Sequence, residues 1–184
     1  GGAESRDTKV TPADLDSETI EELKMIASFT DTEIMHLLAI FKKLDSDDSG
    51  YISFHELRHM PVFTLNPFLP RVLRIFDKNL DQQLSLKEFA QLMSTFSVKA
   101  ARENKLRFAF SIYDWNNDAK IDIDDLTLSV KCMVKDHLTD EEITQVVDKV
   151  FEEVDKDQNN FIAFDEFVTV VANSGIETKL TIEF

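Results

Sequence analysis

Apolar side chains recur at helical spacing on both sides of four short polar segments of the chain. Upstream of each segment, an apolar residue stands one, four and eight positions before the segment begins, which places all three on one face of an α-helix. The upstream residues are Leu44, Phe41 and Leu37; Phe76, Leu73 and Leu69; Tyr113, Phe110 and Leu106; and Val154, Phe151 and Val147. The downstream helices begin with the apolar pairs Phe54 and Leu57, Leu86 and Phe89, Ile123 and Leu126, and Phe164 and Phe167. The pattern predicts an all-α protein made of four helix–loop–helix units.

Residues near the helix ends mark several of these boundaries. The sequences Thr30–Glu33 and Thr139–Glu142 have the form of capping boxes, and Asn66-Pro67 is typical of an N-cap followed by proline at the first helical position. Pro61 is expected to end the first exiting helix, because proline lacks the N–H that a helix interior needs. Apolar spacing over residues 20–27 indicates a further short helix before the first unit.

Each polar segment is a twelve-residue acidic loop with oxygen-bearing side chains at the same positions. The loops span residues 45–56, 77–88, 114–125 and 155–166. Positions 1, 3 and 5 are Asp45, Asp47 and Ser49; Asp77, Asn79 and Asp81; Asp114, Asn116 and Asp118; and Asp155, Asp157 and Asn159. Position 12 is Glu56, Glu88, Asp125 or Glu166. Calcium takes about six to eight oxygen ligands, and this spacing wraps them around one point, so the loops predict four EF-hand calcium sites in two paired lobes.

Two further positions complete the predicted ligand sets. Position 7 binds through its backbone carbonyl whatever the side chain, and here it is Tyr51, Gln83, Lys120 or Phe161. Position 9 binds directly or through water, and in the first three loops it is Ser53, Ser85 or Asp122. Ala163 in the fourth loop has no side-chain oxygen, so a water molecule is expected to take that place.

The loops differ at position 6, where the chain turns with positive φ and glycine is the usual residue. Gly50 meets this need and Asn160 is the next most tolerant residue, whereas Gln82 and Ala119 are each expected to cost about 1 kcal/mol. Asp125 is one methylene shorter than glutamate, so it is expected to offer one oxygen or to require a contracted loop. We expect affinity to fall in the order first, fourth, second and third loop. The third site is left open between calcium, magnesium and no ion.

The loops fall into two pairs separated by a polar stretch. The predicted divisions are a flexible leader over residues 1–28, EF-hand pairs over 29–96 and 105–175, a linker over 97–104 and a tail over 176–184.

Composition restricts the partners and the location of the protein. The net charge of −15 disfavours nucleic acid and bare acidic membranes as direct partners. The single cysteine, Cys132, excludes an internal disulfide and favours a reducing compartment, and no apolar run reaches membrane-spanning length. We therefore expect a cytoplasmic protein. The 15 phenylalanines are explained by core packing or, in part, by an apolar groove that a partner helix fills.

Four stretches of the chain resemble the regulatory B subunit of calcineurin, the calcium-dependent serine/threonine phosphatase. They are FKKLDSDDSG at Phe41–Gly50, NPFLPRVLRIFDKN at Asn66–Asn79, FSVKAARENKLRFAFSIYD at Phe96–Asp114 and QVVDK at Gln145–Lys149. The third stretch is the most specific, and the resemblance extends over residues 28–184. Sequence between the loops has no reason to match merely because metal is bound, so the resemblance adds to what the loops predict.

The resemblance implies a non-catalytic subunit whose lobes clasp an amphipathic, largely apolar helix of a calcineurin-type catalytic subunit. It also implies partner contacts at Met133, Val134 and Leu138, which match the family region at the subunit junction where substrate motifs and immunophilin–drug complexes dock. Ordinary core packing explains Met133 and Leu138 equally well. Three of the four loops lack the glycine that the family usually has at position 6, which argues against full occupancy and favours a divergent lineage or a paralogue with a different client.

The first five residues, Gly1-Gly2-Ala3-Glu4-Ser5, fit the pattern for N-myristoylation if an initiator methionine is removed, with Gly1 as the acylated residue. The regulatory chains of the family carry such a lipid. The alternative is a glycine start unrelated to lipid, such as the remnant of a purification tag. One myristoyl chain gives only marginal membrane binding, so any membrane association is expected to be peripheral.

Other functions are compatible with the same fold. A calcineurin B-like sensor can regulate a kinase, an ion exchanger or an integrin-type tail, and a calcium buffer needs no obligate partner. The phenylalanine content and the weak third loop argue against a buffer. No Ser-His-Asp arrangement, phosphate-binding glycine loop or two-metal carboxylate cluster stands apart from the loops, so no catalytic residue is predicted.

Overall fold

The computed structural model describes residues 15, 17–27 and 29–172, and its elements follow the predicted order. The helices of these residues are α1 (Ser17–Ala27), α2 (Asp31–Leu44), α3 (Phe54–Leu57), α4 (Leu69–Phe76), α5 (Leu86–Phe96), α6 (Arg102–Tyr113), α7 (Ile123–Val134), α8 (Asp140–Val154) and α9 (Phe164–Val171). Two short strands lie among them, β1 (Ile52–Ser53) and β2 (Gln83–Leu84). The prediction of an all-α protein with four helix–loop–helix units is confirmed.

Buried apolar side chains form two clusters, one for each pair of loops. The first cluster draws on α1–α5, which we call the first lobe, and the second draws on α6–α9, which we call the second lobe. Phe108 of α6 belongs to the first cluster, and its ring centroid lies 5.6 Å from that of Phe76 and 5.2 Å from that of Phe96. Helix α6 therefore packs against both lobes. It begins at Arg102, so the predicted linker over residues 97–104 is wrong for residues 102–104.

Each pair of loops is joined by antiparallel pairing of the residues at position 8. Ile52 of β1 lies opposite Leu84 of β2, and Ile121 forms an isolated bridge with Ile162. All four side chains are buried, because position 8 points into the core of its lobe. The pairing therefore fixes the four loops as two adjacent pairs.

Helix α1 packs onto the first lobe. Leu23 is fully buried in the first cluster, and the Glu22 carboxylate lies 2.5 Å from the ammonium of Lys87 on α5. Burial of apolar surface against the lobe stabilises a helix that would be marginal alone. The predicted flexible leader over residues 1–28 is therefore wrong for residues 17–27, while the short helix indicated by the spacing over residues 20–27 is confirmed.

Side chains cap several helices. In α2, the Thr30 hydroxyl accepts a hydrogen bond from the N–H of Glu33, whose carboxylate accepts one from the N–H of Thr30, and an equivalent pair begins α8. Both predicted capping boxes are confirmed. The predicted helix start at Asn66-Pro67 is wrong by two residues, since the Asn66 carbonyl accepts the N–H of Leu69 in a turn and the helix begins only at Leu69. Phe68 is the N-cap of α4.

No helix in the described part of the chain is long and apolar enough to cross a membrane. Gly1 and the predicted tail over residues 176–184 lie outside the described residues.

Candidate metal-binding loops

The four loops share one backbone conformation that includes two residues with positive φ. At position 4, Asp48, Leu80, Asn117 and Gln158 have φ between 56° and 60°. At position 6, φ is 81° for Gly50, 67° for Gln82, 66° for Ala119 and 67° for Asn160. The left-handed turn is thus kept even where the residue is not glycine, at a cost of about 1–2 kcal/mol per residue.

The carboxylate at position 1 is held by the backbone of its own loop. One of its oxygens accepts the N–H of position 6, at 2.8 Å for Gly50 to Asp45, 2.9 Å for Gln82 to Asp77, 3.0 Å for Ala119 to Asp114 and 2.9 Å for Asn160 to Asp155. The other oxygen accepts the N–H of position 5. These bonds orient the carboxylate and leave lone pairs for a cation at the centre of the loop.

The carboxylate at position 12 closes each loop in the same way. One oxygen accepts the N–H of position 2, which pairs Ser46 with Glu56, Lys78 with Glu88, Trp115 with Asp125 and Lys156 with Glu166 at 2.7–2.9 Å. The second oxygen accepts the N–H of position 9. The exiting helix is therefore tied to the start of the loop through one side chain, and both carboxylate oxygens are held in place.

The third loop keeps this arrangement although its residue at position 12 is shorter. Asp125 accepts the N–H of Trp115 at 2.9 Å and the N–H of Asp122 at 3.2 Å. Burial raises the pKa of Asp125, and these backbone hydrogen bonds offset only part of that effect. In the first loop, burial also opposes ionisation of Glu56, but hydrogen bonds from the serines at positions 9 and 2 outweigh it and lower the pKa to about 2.

Carboxylates converge in three of the loops, with ligand atoms within 4.8 Å of one another. The groups are Asp45, Asp47 and Glu56; Asp114, Asp118 and Asp125; and Asp155, Asp157 and Glu166. In the second loop position 3 is Asn79, and residues 77–88, all of them described, form no such group of three acidic side chains. Oxygen donors without sulfur or imidazole suit a hard cation such as calcium or magnesium, so the residues fit the predicted ion.

The remaining predicted ligands stay predictions. In the first loop, the Ser49 hydroxyl lies 3.2 Å from the Tyr51 carbonyl oxygen and 3.3 Å from the Asp45 carboxylate, which brings positions 5, 7 and 1 together. In the first three loops the position 9 side chain is the N-cap of the exiting helix, as when the Ser53 hydroxyl accepts the N–H of Glu56.

The predicted partner contacts lie at the end of α7. Met133 is 46% exposed, whereas Val134 and Leu138 are half-buried against the core of the second lobe. Leu138 also lines an open cavity of about 530 Å³ between α7 and α8, together with Lys131 and Ile143. The role of Met133, Val134 and Leu138 in binding a partner stays a prediction.

A second cavity, of about 200 Å³, opens into the core of the second lobe. Its lining is almost entirely apolar and includes Leu126, Val150, Phe167 and Val170. Val170 is 52% exposed, so the apolar lining reaches the surface. A cavity of this kind can receive an apolar side chain from an amphipathic partner helix.

Sequence reasoning missed one residue that contacts the third loop. Arg71 of α4 is only 2% exposed, and its guanidinium donates to the carbonyl oxygens of Ser111 and Trp115. The sequence offers two positive charges, Arg71 and Arg74, within the apolar stretch over residues 69–76 and no signal that distinguishes them. Nothing in the sequence pairs the charge of Arg71 with a segment about forty residues away.

Comparison with known proteins identifies the family. The model of the EF-hand domain pair matches residues 34–94 and 103–172. The calcineurin B chain of Naegleria gruberi is 38% identical over 165 residues, which cover 90% of this chain and 93% of that protein. The type 1 calcineurin B chain of Dictyostelium discoideum is 39% identical over 92% of this chain and 95% of that protein. The type 2 calcineurin B chain of Homo sapiens is 42% identical over 86% of this chain and 94% of that protein. The chain therefore belongs to the calcineurin B family of EF-hand proteins.

Proposed function

We propose that this chain is the calcium-binding, non-catalytic regulatory subunit of a calcineurin-type serine/threonine phosphatase. The observation that carries the proposal is the shared geometry of four loops, in which backbone N–H groups orient the carboxylates of positions 1 and 12. The phosphatase is proposed from the names of the relatives, which are subunits of calcineurin. They favour this function over a sensor for another client and over a buffer.

Calcium would be held by the oxygens at loop positions 1, 3, 5, 7, 9 and 12. A bound ion would neutralise the repulsion among carboxylates that lie within 4.8 Å of one another. The chain's own contribution is to hold those carboxylates in place before the ion arrives, through the hydrogen bonds at positions 1 and 12. Up to four ions are proposed, with the first and fourth loops binding most tightly.

The second and third loops are the weaker sites of the proposal, for different reasons. In the second loop Asp77, Asp81 and Glu88 do not converge as a group of three, and Gln82 at position 6 has φ 67°. The third loop has three converging carboxylates but is disfavoured by the backbone conformation at Ala119 and by the short side chain of Asp125. The third site is therefore the one where magnesium or no ion competes with calcium.

The catalytic subunit would bind through an amphipathic helix. The apolar cavity lined by Phe167 and Val170 supports this mode, because it opens the core of the second lobe to the surface. An immunophilin–drug complex at the surface of Met133, Val134 and Leu138 is the finer partner proposed from the family resemblance. Peripheral membrane association through a lipid on Gly1 is proposed on the same basis.

A pull-down tests the client. The full chain is immobilised with calcium or with a chelator, incubated with a lysate of its own cells, and the retained proteins are identified by mass spectrometry. Recovery of a calcineurin-type catalytic chain is the expected result. Recovery of a kinase or a transporter tail instead would show that the protein is a calcium sensor for a different partner. Retention of nothing at either calcium level would favour a calcium buffer.

A further inference from the structure

Arg71 joins the two lobes at the third loop. It lies on α4 of the first lobe, its side chain is 2% exposed, and it ranks among the largest fully buried side chains of the described residues. Its guanidinium reaches the end of α6 and the first residues of the third loop, about forty positions further along the chain. A buried cation is costly unless its donors are satisfied, so its partners must account for its presence.

The partners are four neutral oxygens clustered around the start of the third loop. Nε and Nη2 donate to the Ser111 carbonyl at 3.2 and 2.7 Å, and Nη1 donates to the Trp115 carbonyl at 3.3 Å. Nη2 also donates to the Asp114 carbonyl and, at 3.0 Å, to Oδ1 of Asn117. Carbonyls at the end of a helix carry partial negative charge and lack helical partners, so a cation there is favourable. The Arg71 side chain thus fixes the backbone over residues 111–117.

The negative charges of the third loop act on the Arg71 guanidinium. Burial lowers the pKa of Arg71, and the negative charges of Asp114 and Asp125 oppose that effect. These two carboxylates converge with that of Asp118, and three negative groups within 4.8 Å repel one another when no ion is bound. The positive charge of Arg71, which contacts the start of the loop, offsets part of this repulsion whether or not an ion is bound.

The third loop is also the loop with the greatest local need for support. It carries a non-glycine residue, Ala119, at φ 66° and the shorter carboxylate, Asp125, at position 12. Arg71 donates to carbonyl oxygens at the start of this loop from a buried position. The cation occurs where the loop itself is weakest.

We infer that Arg71 is a positioning residue that keeps the third loop folded in the absence of a metal ion and fixes that loop to the first lobe. The contact between the lobes then does not depend on filling the third site. The inference goes beyond the proposed function and does not require the third loop to bind calcium.

The single tryptophan, Trp115, reports on this contact directly. Its ring centroid lies 5.4 Å from the Arg71 guanidinium carbon, and its indole N–H donates to the Ser129 hydroxyl at 2.9 Å. Tryptophan emission shifts to longer wavelength, and quenching by acrylamide rises, when the indole becomes exposed to water. Both signals can be read in a chelator, where no ion supports the loop.

The experiment compares Arg71→Met with Arg74→Met in the full chain, in the presence of EDTA. Arg74 lies on the same helix and is exposed, so it controls for the loss of a positive charge from α4. We expect the unchanged protein and Arg74→Met to show short-wavelength emission and weak quenching. Arg71→Met is expected to show a red shift and quenching several-fold stronger. Equal emission and quenching in Arg71→Met and Arg74→Met would overturn the inference. So would an emission spectrum of the unchanged protein in EDTA equal to that of the chain unfolded in urea, because the loop would then be unfolded without an ion.

A second variant separates local support from global folding. Arg71→Lys keeps the positive charge but loses the planar set of donors, so its quenching is expected to lie between those of the unchanged protein and Arg71→Met. Far-UV circular dichroism shows whether Arg71→Met retains its helices. If it does not, Arg71→Lys is compared with Arg74→Lys, and an unshifted emission in Arg71→Lys would overturn the inference.

Discussion

Ile121 and Ile162 exchange two backbone hydrogen bonds, with N–H to carbonyl distances of 3.1 and 2.8 Å, and this exchange ties the third loop to the fourth. Each residue stands at position 8, between the residues whose oxygens are expected to bind an ion. A change in the shape of one loop is therefore transmitted to the other through backbone atoms.

Loss of the position 12 carboxylate in the fourth loop should weaken calcium binding in the third. In Glu166→Gln, one oxygen becomes an amide nitrogen, so the fourth loop loses its closing ligand and its hold on Ile162 becomes weaker. Coupling between sites is typically about 1–3 kcal/mol, or roughly 5–150-fold in affinity. The calcium titration is followed by the emission of Trp115 in the third loop. Glu56→Gln, in the other pair of loops, is the control and should leave the midpoint of that titration unchanged; equal shifts in both variants would contradict the coupling.

Glycine at position 6 of the third loop should stabilise the protein. Ala119 has φ 66°, a conformation that costs an L-residue about 1–2 kcal/mol but costs glycine nothing. Glycine loses more entropy on folding, by roughly 0.5–1 kcal/mol, so the net gain expected for Ala119→Gly is about 0.5–1 kcal/mol in the free energy of unfolding. Urea unfolding in EDTA measures it.

The reverse substitution in the first loop is the matched control. A Cβ added at Gly50, whose φ is 81°, would meet no atom within 4 Å, so Gly50→Ala tests conformation without a steric clash. It should destabilise the protein by a similar amount. A loss of stability in Ala119→Gly would mean that contacts of the Ala119 methyl group outweigh the backbone term.

Local patterns account for what could be predicted from the sequence. The loops, the helices beside them and the capping boxes depend on residues within about twelve positions of one another, so spacing alone locates them. The start of α4 was misplaced because Asn66-Pro67 forms a turn with the same residues that favour an N-cap. The predicted flexible leader includes residues 17–27, which form α1, because the burial of Leu23 depends on α5, which is distant in sequence. The contacts of Arg71 are not predictable from the sequence, since three of its four acceptors are backbone carbonyls, which every residue carries.

Acid should remove the contribution of Glu33 to stability. A hydrogen bond from Lys99, followed by those from Thr30, lowers the pKa of Glu33 from 4.5 to about 2, and the Lys99 ammonium lies 2.7 Å from one carboxylate oxygen. Because the pKa is lower in the folded state, the contribution is complete above about pH 4.5 and is lost as the pH falls from there to about 2. Glu33→Gln should therefore be about 1 kcal/mol less stable than the unchanged protein at pH 7, and the difference should shrink near pH 2.

Urea unfolding at several pH values measures this difference. Glu142→Gln is the control, since Glu142 closes the capping box of α8 and Lys99 is not among its partners. Its effect should be smaller at pH 7, because glutamine can still accept the capping hydrogen bond and only the charge near the helix N-terminus is lost. A gap between Glu33→Gln and the unchanged protein that stays constant from pH 7 to about 2 would show that the pair with Lys99 contributes nothing.

A charge at the mouth of the apolar cavity should weaken binding of the amphipathic helix proposed for the catalytic subunit without unfolding the protein. Val170 lines the cavity and is 52% exposed, so Val170→Asp places a carboxylate against the incoming apolar side chain while its own solvation in the free protein is largely kept. A desolvated, unpaired charge costs several kcal/mol, which corresponds to a loss of at least about a hundredfold in affinity. Val146→Asp is the matched control, because Val146 is 40% exposed on α8 and does not line the cavity. Binding to the purified catalytic subunit in calcium is measured by titration calorimetry, with thermal unfolding of both variants alongside. Equal affinity of the two variants would mean that the helix binds elsewhere on the protein.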